Sequence, residues 1–225
     1  NWLLGLSVVK ELIARFGGIS AARTLPAFSS RPFPAWARQQ GLCRQPDERL
    51  DRPVVLFVDT FNSFNTPELA CAATEVLQQA GFSVTVTEYG CCGRPMLSKG
   101  LVRRARAAAR ATVNRLAMLA RSSIPIVGLE PSCVSAIRDD YRSLLPGDPD
   151  VAMVADHVKT FDEFVAEEHS KGNFHLDLDR RQQRFLLHAH CHQKALIGSG
   201  PSQQTLSLTG AEVTEVDSGC CGMAG

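Results

Sequence analysis

The stretch FSVTVTEYGCCG, residues 82–93, joins a β-branched run to two adjacent cysteines and a glycine. The stretch AEVTEVDSGCCG, residues 211–222, repeats this pattern almost position for position. In both copies, alternating apolar and polar residues rich in β-branched side chains predict a short strand, after which the Cys-Cys-Gly triplet lies in a loop. Two occurrences in the same local setting indicate an internal repeat whose cysteines serve a chemical purpose.

The segments around the first copy predict strands that alternate with helices. VVLFVD (54–59) is typical of a buried strand, and TPELACAATEVLQQAG (66–81) has helical spacing between its Thr-Pro start and its final Gly. A long Ala/Arg-rich helix over 98–123 precedes a third strand, IPIVGLE (124–130), and a further helix starts at Pro131. This alternation implies parallel strands with right-handed crossovers.

The second half predicts the same order in a less complete form. VAMVADHV (151–158) predicts a short strand or turn, and FLLHAHC (185–191) predicts a strand. If that strand continues, His188, His190 and His192 lie on one of its faces. The predicted fold is therefore α/β, with two pseudo-repeated β-α-β-CCG units, parallel strands and flanking helices, the second unit being truncated.

Three segments are predicted along the chain. Residues 1–50 form a leader that packs on a neighbouring domain, since an amphipathic helix is followed there by an extended stretch rich in Pro and aromatic residues. Residues 51–150 form the first CCG repeat, and residues 151–225 form a connector and the truncated second repeat. The chain lacks an initiator Met and ends within a motif, so we expect an internal fragment of a longer protein.

Composition and charge exclude several classes of function. With 225 residues and a formal net charge of +1, the chain has no strong field that would point to a nucleic-acid partner. No apolar run reaches the roughly 18 residues of a membrane-spanning helix, so no transmembrane segment is predicted. The eight cysteines accompany long apolar-periodic segments, which indicates a reduced, cytosolic setting where thiols bind metal or do redox chemistry.

We expect the cysteines that follow predicted strands to meet at one edge of the sheet, because functional loops lie outside the carboxyl ends of parallel strands. Asp59 ends the first strand, and Cys191 takes the matching position in the second copy. Helix N-termini at these loops carry a partial positive charge that favours anionic thiolates. The predicted metal ligands are Cys91, Cys92, Cys133, Cys191, Cys220 and Cys221.

The chemistry of these ligands leaves several options open. Soft thiolates select zinc, copper(I) or iron–sulfur clusters. The cysteine pairs spaced by two to four residues that are typical of zinc sites do not occur, whereas adjacent cysteines suit neighbouring irons of a cluster. The alternatives are a thiol-redox or zinc-binding structural module without a cluster, and buried thiols that act as small hydrophobes. We expect core packing for Cys71 and no role for Cys43.

Four motifs carry a resemblance to a known family. GCCGRP (90–95), EPSC (130–133), HCHQKAL (190–196) and SGCCGMAG (218–225) resemble the cysteine-rich CCG domain. That domain occurs in heterodisulfide reductase and in the iron–sulfur subunits of glycolate oxidase and glycerol-3-phosphate dehydrogenase. It also forms the C-terminal part of fused FAD/iron–sulfur D-lactate and D-2-hydroxyglutarate dehydrogenases. The resemblance covers residues 50–225.

The resemblance implies that the chain is an iron–sulfur electron-transfer module, with a 4Fe-4S cluster on the cysteines named above. It implies FAD and ferredoxin-type domains upstream in the same chain, a D-2-hydroxy acid of the D-lactate type as substrate, and a quinone or cytochrome-type electron acceptor. The fragment itself would then lack the flavin and the substrate site. The expected location is cytoplasmic, with peripheral attachment at the inner face of the cell membrane left open.

Two positions depart from the family pattern. Asp59 stands where the first repeat of the family has its upstream Cys, and Glu130 stands in place of the first Cys of a C-x-x-C motif. The first site is therefore short of thiolates. It holds a cluster with an oxygen ligand, shares ligands with the second repeat, or is degenerate. For Asp59 we favour helix capping over metal binding.

Overall fold

The computed structural model describes residues 2–45, 47, 49–87, 90–178 and 183–219. The strands of its larger sheet are β1 (Pro53–Phe57), β2 (Ser83–Val86), β3 (Ile126–Gly128) and β4 (Val158–Thr160). Their order in the sheet is β2-β1-β3-β4, and each of these neighbouring pairs is parallel. The predicted α/β class with parallel strands is confirmed.

Helices lie between the strands and before the first of them. They are α1 (Trp2–Gly5), α2 (Ser7–Gly17), α3 (Phe33–Gln39), α4 (Thr60–Phe64), α5 (Pro67–Gln79), α6 (Arg94–Ser98), α7 (Val102–Arg121), α8 (Pro131–Ser135), α9 (Tyr141–Leu144), α10 (Pro149–His157), α11 (Phe161–Ser170), α12 (Cys191–Leu196) and α13 (Gly200–Ser207). A π-helical turn at Ala136–Asp140 joins α8 to α9. Within the part of the chain that the structure describes, no helix combines the length and apolar character needed to cross a membrane.

Two apolar cores lie on opposite faces of the larger sheet, because successive residues of a strand point to opposite sides. Phe57 and Ile126 belong to the core that contains the inner side of α7. Leu56 and Val127, their neighbours in β1 and β3, belong to the core that contains side chains of α3, α5 and α11. Burial on both faces explains why the central strands β1 and β3 are continuous apolar runs rather than alternating ones.

A second, smaller sheet lies in the C-terminal half. Its strands are β5 (Arg184–Leu187) and β6 (Glu212–Glu215), which pair in parallel with Phe185 opposite Val213. Helices α12 and α13 connect them, and α13 packs on α11. The equivalence of the two halves as repeats stays a prediction, because the second Cys-Cys-Gly, residues 220–222, lies outside the described residues.

The prediction of a strand or turn over 151–158 is wrong for most of that stretch, which forms α10. Asp148 is the N-cap of this helix: its side chain accepts a hydrogen bond of 3.0 Å from the backbone N–H of Asp150, and Pro149 occupies the first turn. Strand β4 begins only at Val158 and extends the larger sheet beside β3. The division of the chain at residues 50 and 150 stays a prediction.

Candidate metal centre

The loops at the carboxyl edge of the larger sheet bring several cysteines together. Cys92 lies in the loop after β2 and Cys133 in α8 after β3, and their Sγ atoms are 2.9 Å apart. Both side chains are buried. The half-buried Cys91 precedes them, and the side chain of Thr60, which follows β1, hydrogen-bonds its thiol. Three of the predicted ligands therefore meet at one place.

The loop of the first Cys-Cys-Gly is held by backbone geometry and by a buried tyrosine. Gly93 has a φ of 84°, and a Cβ at this position would lie 3.2 Å from the carbonyl oxygen of Ala105 in α7. Glycine is therefore required for this left-handed turn and close approach. The hydroxyl of Tyr141, in α9, donates a 2.7 Å hydrogen bond to the carbonyl oxygen of Cys92. These contacts fix the backbone that presents the two thiols.

The thiols at this edge resist ionisation in the absence of a cation. The hydrogen bond to Cys133, with burial as a further cause, raises the pKa of Cys92 to about 12. The hydrogen bond to Cys92, and then burial, raises the pKa of Cys91 above its usual range. Thiolates this close together repel one another, so they form together only when a bound cation compensates their charge. A soft metal centre would supply that compensation.

The two carboxylates that replace family cysteines both cap helices. Asp59 is buried at the N-terminus of α4, where its Oδ1 accepts hydrogen bonds from the backbone N–H groups of Phe61 (2.8 Å) and Asn62 (3.2 Å). Glu130 caps α8, and its Oε1 accepts from the backbone N–H (3.2 Å) and hydroxyl (2.7 Å) of Ser132. The capping role that we favoured for Asp59 is present, and Glu130 has the same role.

Cys191 is the first residue of α12, which packs against α8, the helix that carries Cys133. His190 is the N-cap of α12, since its ring Nδ1 accepts a 3.3 Å hydrogen bond from the backbone N–H of His192. The strand predicted over 185–191 ends at Leu187 and Cys191 begins α12, so the condition under which His188, His190 and His192 would share one face is not met.

Two side-chain contacts join the start of α12 to the first half of the chain. Arg94, the residue after the first Cys-Cys-Gly, donates through Nη2 to His192 Nε2, and its Nη1 forms an ion pair with Asp140. The Nε2 atom of His190 lies 3.6 Å from Glu130 Oε1. Both contacts end on residues adjacent to Cys191, so that thiol is tied to the same edge as the first cysteine loop.

The ligand atoms of His190, Cys191 and His192 lie within 4.8 Å of one another. The Sγ of Cys191 is 3.7 Å from Nδ1 of His192. Burial, and then the positive charge of Arg94, lowers the pKa of His192. Both causes disfavour the positively charged form of the ring.

The outcome for the predicted ligands differs along the chain. Cys91, Cys92 and Cys133 lie together, and Cys191 lies on a helix that packs beside them. Cys220 and Cys221 lie outside the described residues. Among the cysteines that the structure does describe, none forms a disulfide.

The core packing expected for Cys71 is confirmed, the absence of a role for Cys43 stays a prediction, and two further residues emerge from the structure. Cys71 packs against the core from α5, and Cys43 is exposed. Sequence reasoning missed Arg94 and Tyr141. Arg94 could have been found from its place directly after the repeated motif, whereas Tyr141 gave no signal because its hydrogen bond spans 49 residues.

Comparison with known proteins supports the resemblance. Residues 58–138 match the family model of the cysteine-rich CCG domain. The whole chain aligns at 28% identity with 56% of one of the subunits of the anaerobic glycerol-3-phosphate dehydrogenase of Escherichia coli (strain K12). It also aligns at 26% identity with 22% of the D-2-hydroxyglutarate dehydrogenase of Pseudomonas putida (strain KT2440). A D-2-hydroxyglutarate dehydrogenase of Pantoea ananatis (strain AJ13355) aligns at 26% identity with 76% of the chain and 16% of its own length.

These relatives are longer than the chain, which spans 56% of the first and 22% or less of the other two. They therefore carry further segments outside the aligned region. No solved structure shows significant similarity to the chain.

Proposed function

We propose that the chain is an iron–sulfur electron-transfer module of an FAD-dependent dehydrogenase, because residues 58–138 match the family model of the cysteine-rich CCG domain. The substrate of the whole protein is a D-2-hydroxy acid of the D-lactate type. Its flavin lies in a domain outside this chain, and electrons pass through the module to a quinone or cytochrome-type acceptor. This assignment agrees with the dehydrogenase names of the relatives.

The observation that carries the proposal is the contact between Cys92 and Cys133. Their sulfurs approach to 2.9 Å across 41 residues of sequence, and Cys91 lies beside them. Apolar packing alone gives no reason for three thiols to meet at the carboxyl edge of a parallel sheet, which is where such folds bind ligands. Their soft donor atoms fit an iron–sulfur cluster, which supplies one-electron transfer when bound.

The charges around the thiols also fit an anionic thiolate–metal assembly. Arg94 follows the Cys-Cys-Gly loop directly, and its guanidinium points toward α12. The guanidinium of Arg115 also lies against the loop, in the space that a Cβ on Gly90 would occupy. Two guanidinium groups beside the loop lower the free energy of a negatively charged cluster relative to neutral thiols.

Metal analysis of the full protein, purified without oxygen, tests the proposal. We expect iron and acid-labile sulfide in the wild type, and loss of most of both in Cys133→Ser. Cys71→Ser is the matched control, because this thiol packs against one core of the larger sheet whereas Cys92 and Cys133 belong to the core on the other face. The iron content of this variant should equal that of the wild type. Iron content that is unchanged in Cys133→Ser, or a wild type without iron, would contradict the proposal.

A zinc-binding or thiol-redox module is the second candidate. This candidate is favoured because Asp59 and Glu130, which replace family cysteines, both cap helices. Among the described loops of the first half, the thiols at this edge are then those of Cys91, Cys92 and Cys133. Zinc without iron in the same analysis would support the zinc form. A disulfide between Cys92 and Cys133, without either metal, would support the redox form.

A substrate assay separates the D-lactate type from the other classes of substrate suggested by the relatives. The full protein is mixed anaerobically with D-lactate, D-2-hydroxyglutarate or glycerol 3-phosphate, and reduction of the cluster is followed by its electron paramagnetic resonance signal. We expect D-lactate to give the largest signal. A response to glycerol 3-phosphate alone would contradict the choice of a 2-hydroxy acid.

A further inference from the structure

A chain of polar contacts leads from the first half of the molecule to the sulfur of Cys191. Asp140, in the π-helical turn, forms an ion pair with Arg94. Arg94 contacts His192 Nε2, and His192 Nδ1 lies 3.7 Å from Cys191 Sγ. The groups in this chain differ in whether they can donate or accept a hydrogen bond, so the direction of each bond can be worked out.

The guanidinium decides which nitrogen of His192 carries the proton. Arginine has donors and no acceptor, so Nε2 of His192 must accept from Arg94. A neutral imidazole that accepts at Nε2 carries its proton at Nδ1. That Nδ1–H faces Cys191 Sγ, and 3.7 Å suits a hydrogen bond to sulfur.

His190 is held in the opposite tautomer. Its Nδ1 accepts from the backbone N–H of His192, so its proton is at Nε2, which faces Glu130 Oε1 at 3.6 Å. The two rings stack with their centroids 5.3 Å apart. This stacking and the cap restrict rotation of both rings and keep the Nδ1–H of His192 directed at the thiol.

The same contacts argue against a separate metal ion bound by His190, Cys191 and His192. The three residues are close enough to bind one ion. However, a neutral imidazole that binds a metal through one nitrogen carries its proton on the other. The nitrogens that would have to carry it, Nε2 of His192 and Nδ1 of His190, instead face the hydrogen-bond donors of Arg94 and of the His192 backbone. The histidines are therefore arranged as hydrogen-bonding groups around the sulfur.

We propose that His192 is a positioning residue that donates an Nδ1–H···S hydrogen bond to Cys191, and that Arg94, oriented by Asp140, fixes the tautomer that makes this possible. The consequence for electron transfer rests on the proposed function, in which Cys191 is a cluster ligand. A hydrogen bond to a ligand sulfur stabilises the additional negative charge of the reduced cluster, so it raises the reduction potential.

Nitrogen NMR tests the hydrogen bond without reference to activity. Long-range proton–nitrogen correlation spectra of the 15N-labelled, oxidised protein distinguish protonated from unprotonated ring nitrogens, and the signals of His192 are identified by their loss in His192→Phe. We expect a protonated Nδ1 and an unprotonated Nε2 in the wild type. Arg94→Met should abolish this fixed tautomer, whereas Arg110→Met, which removes a guanidinium paired with Asp148, should retain it. A protonated Nε2 in the wild type would overturn the proposal, and that result requires no variant to fold.

Redox titration of the metal-loaded protein tests the consequence. The midpoint potential should be lower in His192→Phe and Arg94→Met than in the wild type, and unchanged in Arg110→Met. If a cluster is present and its potential is the same in all four proteins, the tuning role is refuted. If the wild type holds no cluster, the proposed function fails, while the nitrogen spectrum still decides whether His192 donates to Cys191.

Discussion

Replacing Tyr141 by Phe tests how the cysteine loop is held. The tyrosine is 1% exposed, and its hydroxyl donates to the carbonyl oxygen of Cys92 at 2.7 Å. Burial raises the pKa of Tyr141 above its usual range, so the hydroxyl remains a donor at every pH of interest. Phe fills the same space without the hydroxyl, so the change removes this hydrogen bond together with the one between the hydroxyl and the side chain of Thr112.

The magnitude follows from what the substitution leaves behind. A net hydrogen bond contributes about 1 kcal/mol, and a buried carbonyl left without its donor costs about 1–3 kcal/mol. We therefore expect the free energy of unfolding to fall by about 2 kcal/mol. If the free energy of unfolding falls by roughly 2 kcal/mol per molar urea, the midpoint of the urea unfolding curve shifts to a concentration about 1 M lower.

Urea unfolding of the metal-free protein, followed by circular dichroism, measures this change. Ser170→Ala is the matched control, because it also removes a hydroxyl-to-carbonyl bond of 2.8 Å, but one whose acceptor, the carbonyl of Ala166, lies within α11. Because Ser170 is exposed, this variant should lose less than about 0.5 kcal/mol of unfolding free energy. An equally small effect for Tyr141→Phe would refute the argument that this residue anchors the loop.

Three further changes probe the surrounding framework. Asp59→Ala should lower the free energy of unfolding by about 1–2 kcal/mol by removing the N-cap of α4, whereas Asp59→Asn should retain most of it in the same urea assay. Gly93→Ala should cost about 1–2 kcal/mol, because its φ of 84° is unfavourable for a residue with a side chain, and a thermal melt would show the lower midpoint. Glu167→Gln probes acid stability: hydrogen bonds from Lys159 and then Lys171 lower the pKa of this carboxyl below its ordinary value of 4.5. Glu167 therefore stabilises the folded form above pH 4.5, and this stabilisation is lost as the pH falls through the lower pKa of the folded state. In unfolding experiments at pH 7, the wild type should be more stable than Glu167→Gln by under about 1 kcal/mol. At pH 3 this difference should disappear.

The larger sheet was predictable because its strands are local and strongly apolar. The run VVLFVD and the segment before the first Cys-Cys-Gly carry their strand signal within a few residues, and β1 and β2 form there. Strand β4 was missed because Val-Lys-Thr is too short to show a period, and it is recognised as a strand through its pairing with β3. The helix before it had a usable signal in Asp148 and Pro149, a capping residue followed by proline.

The meeting of cysteines after separate strands was predictable from parallel topology alone, and Cys92 and Cys133 do meet. The local conformation at Cys191 was not. His190 is an unusual N-cap, so nothing in the sequence marked the start of α12. The contacts of Arg94 and Tyr141 were also hidden, because side-chain partners that are far apart in sequence depend on packing rather than on local pattern.

X-ray absorption at the iron edge of the full protein, purified without oxygen, tests the central claim most directly. If the thiols at the sheet edge hold an iron–sulfur cluster, iron will be surrounded by sulfur, with neighbouring iron in the next shell, and Cys133→Ser will lose the signal. Iron bound only by nitrogen and oxygen, or zinc as the sole metal, would contradict the account.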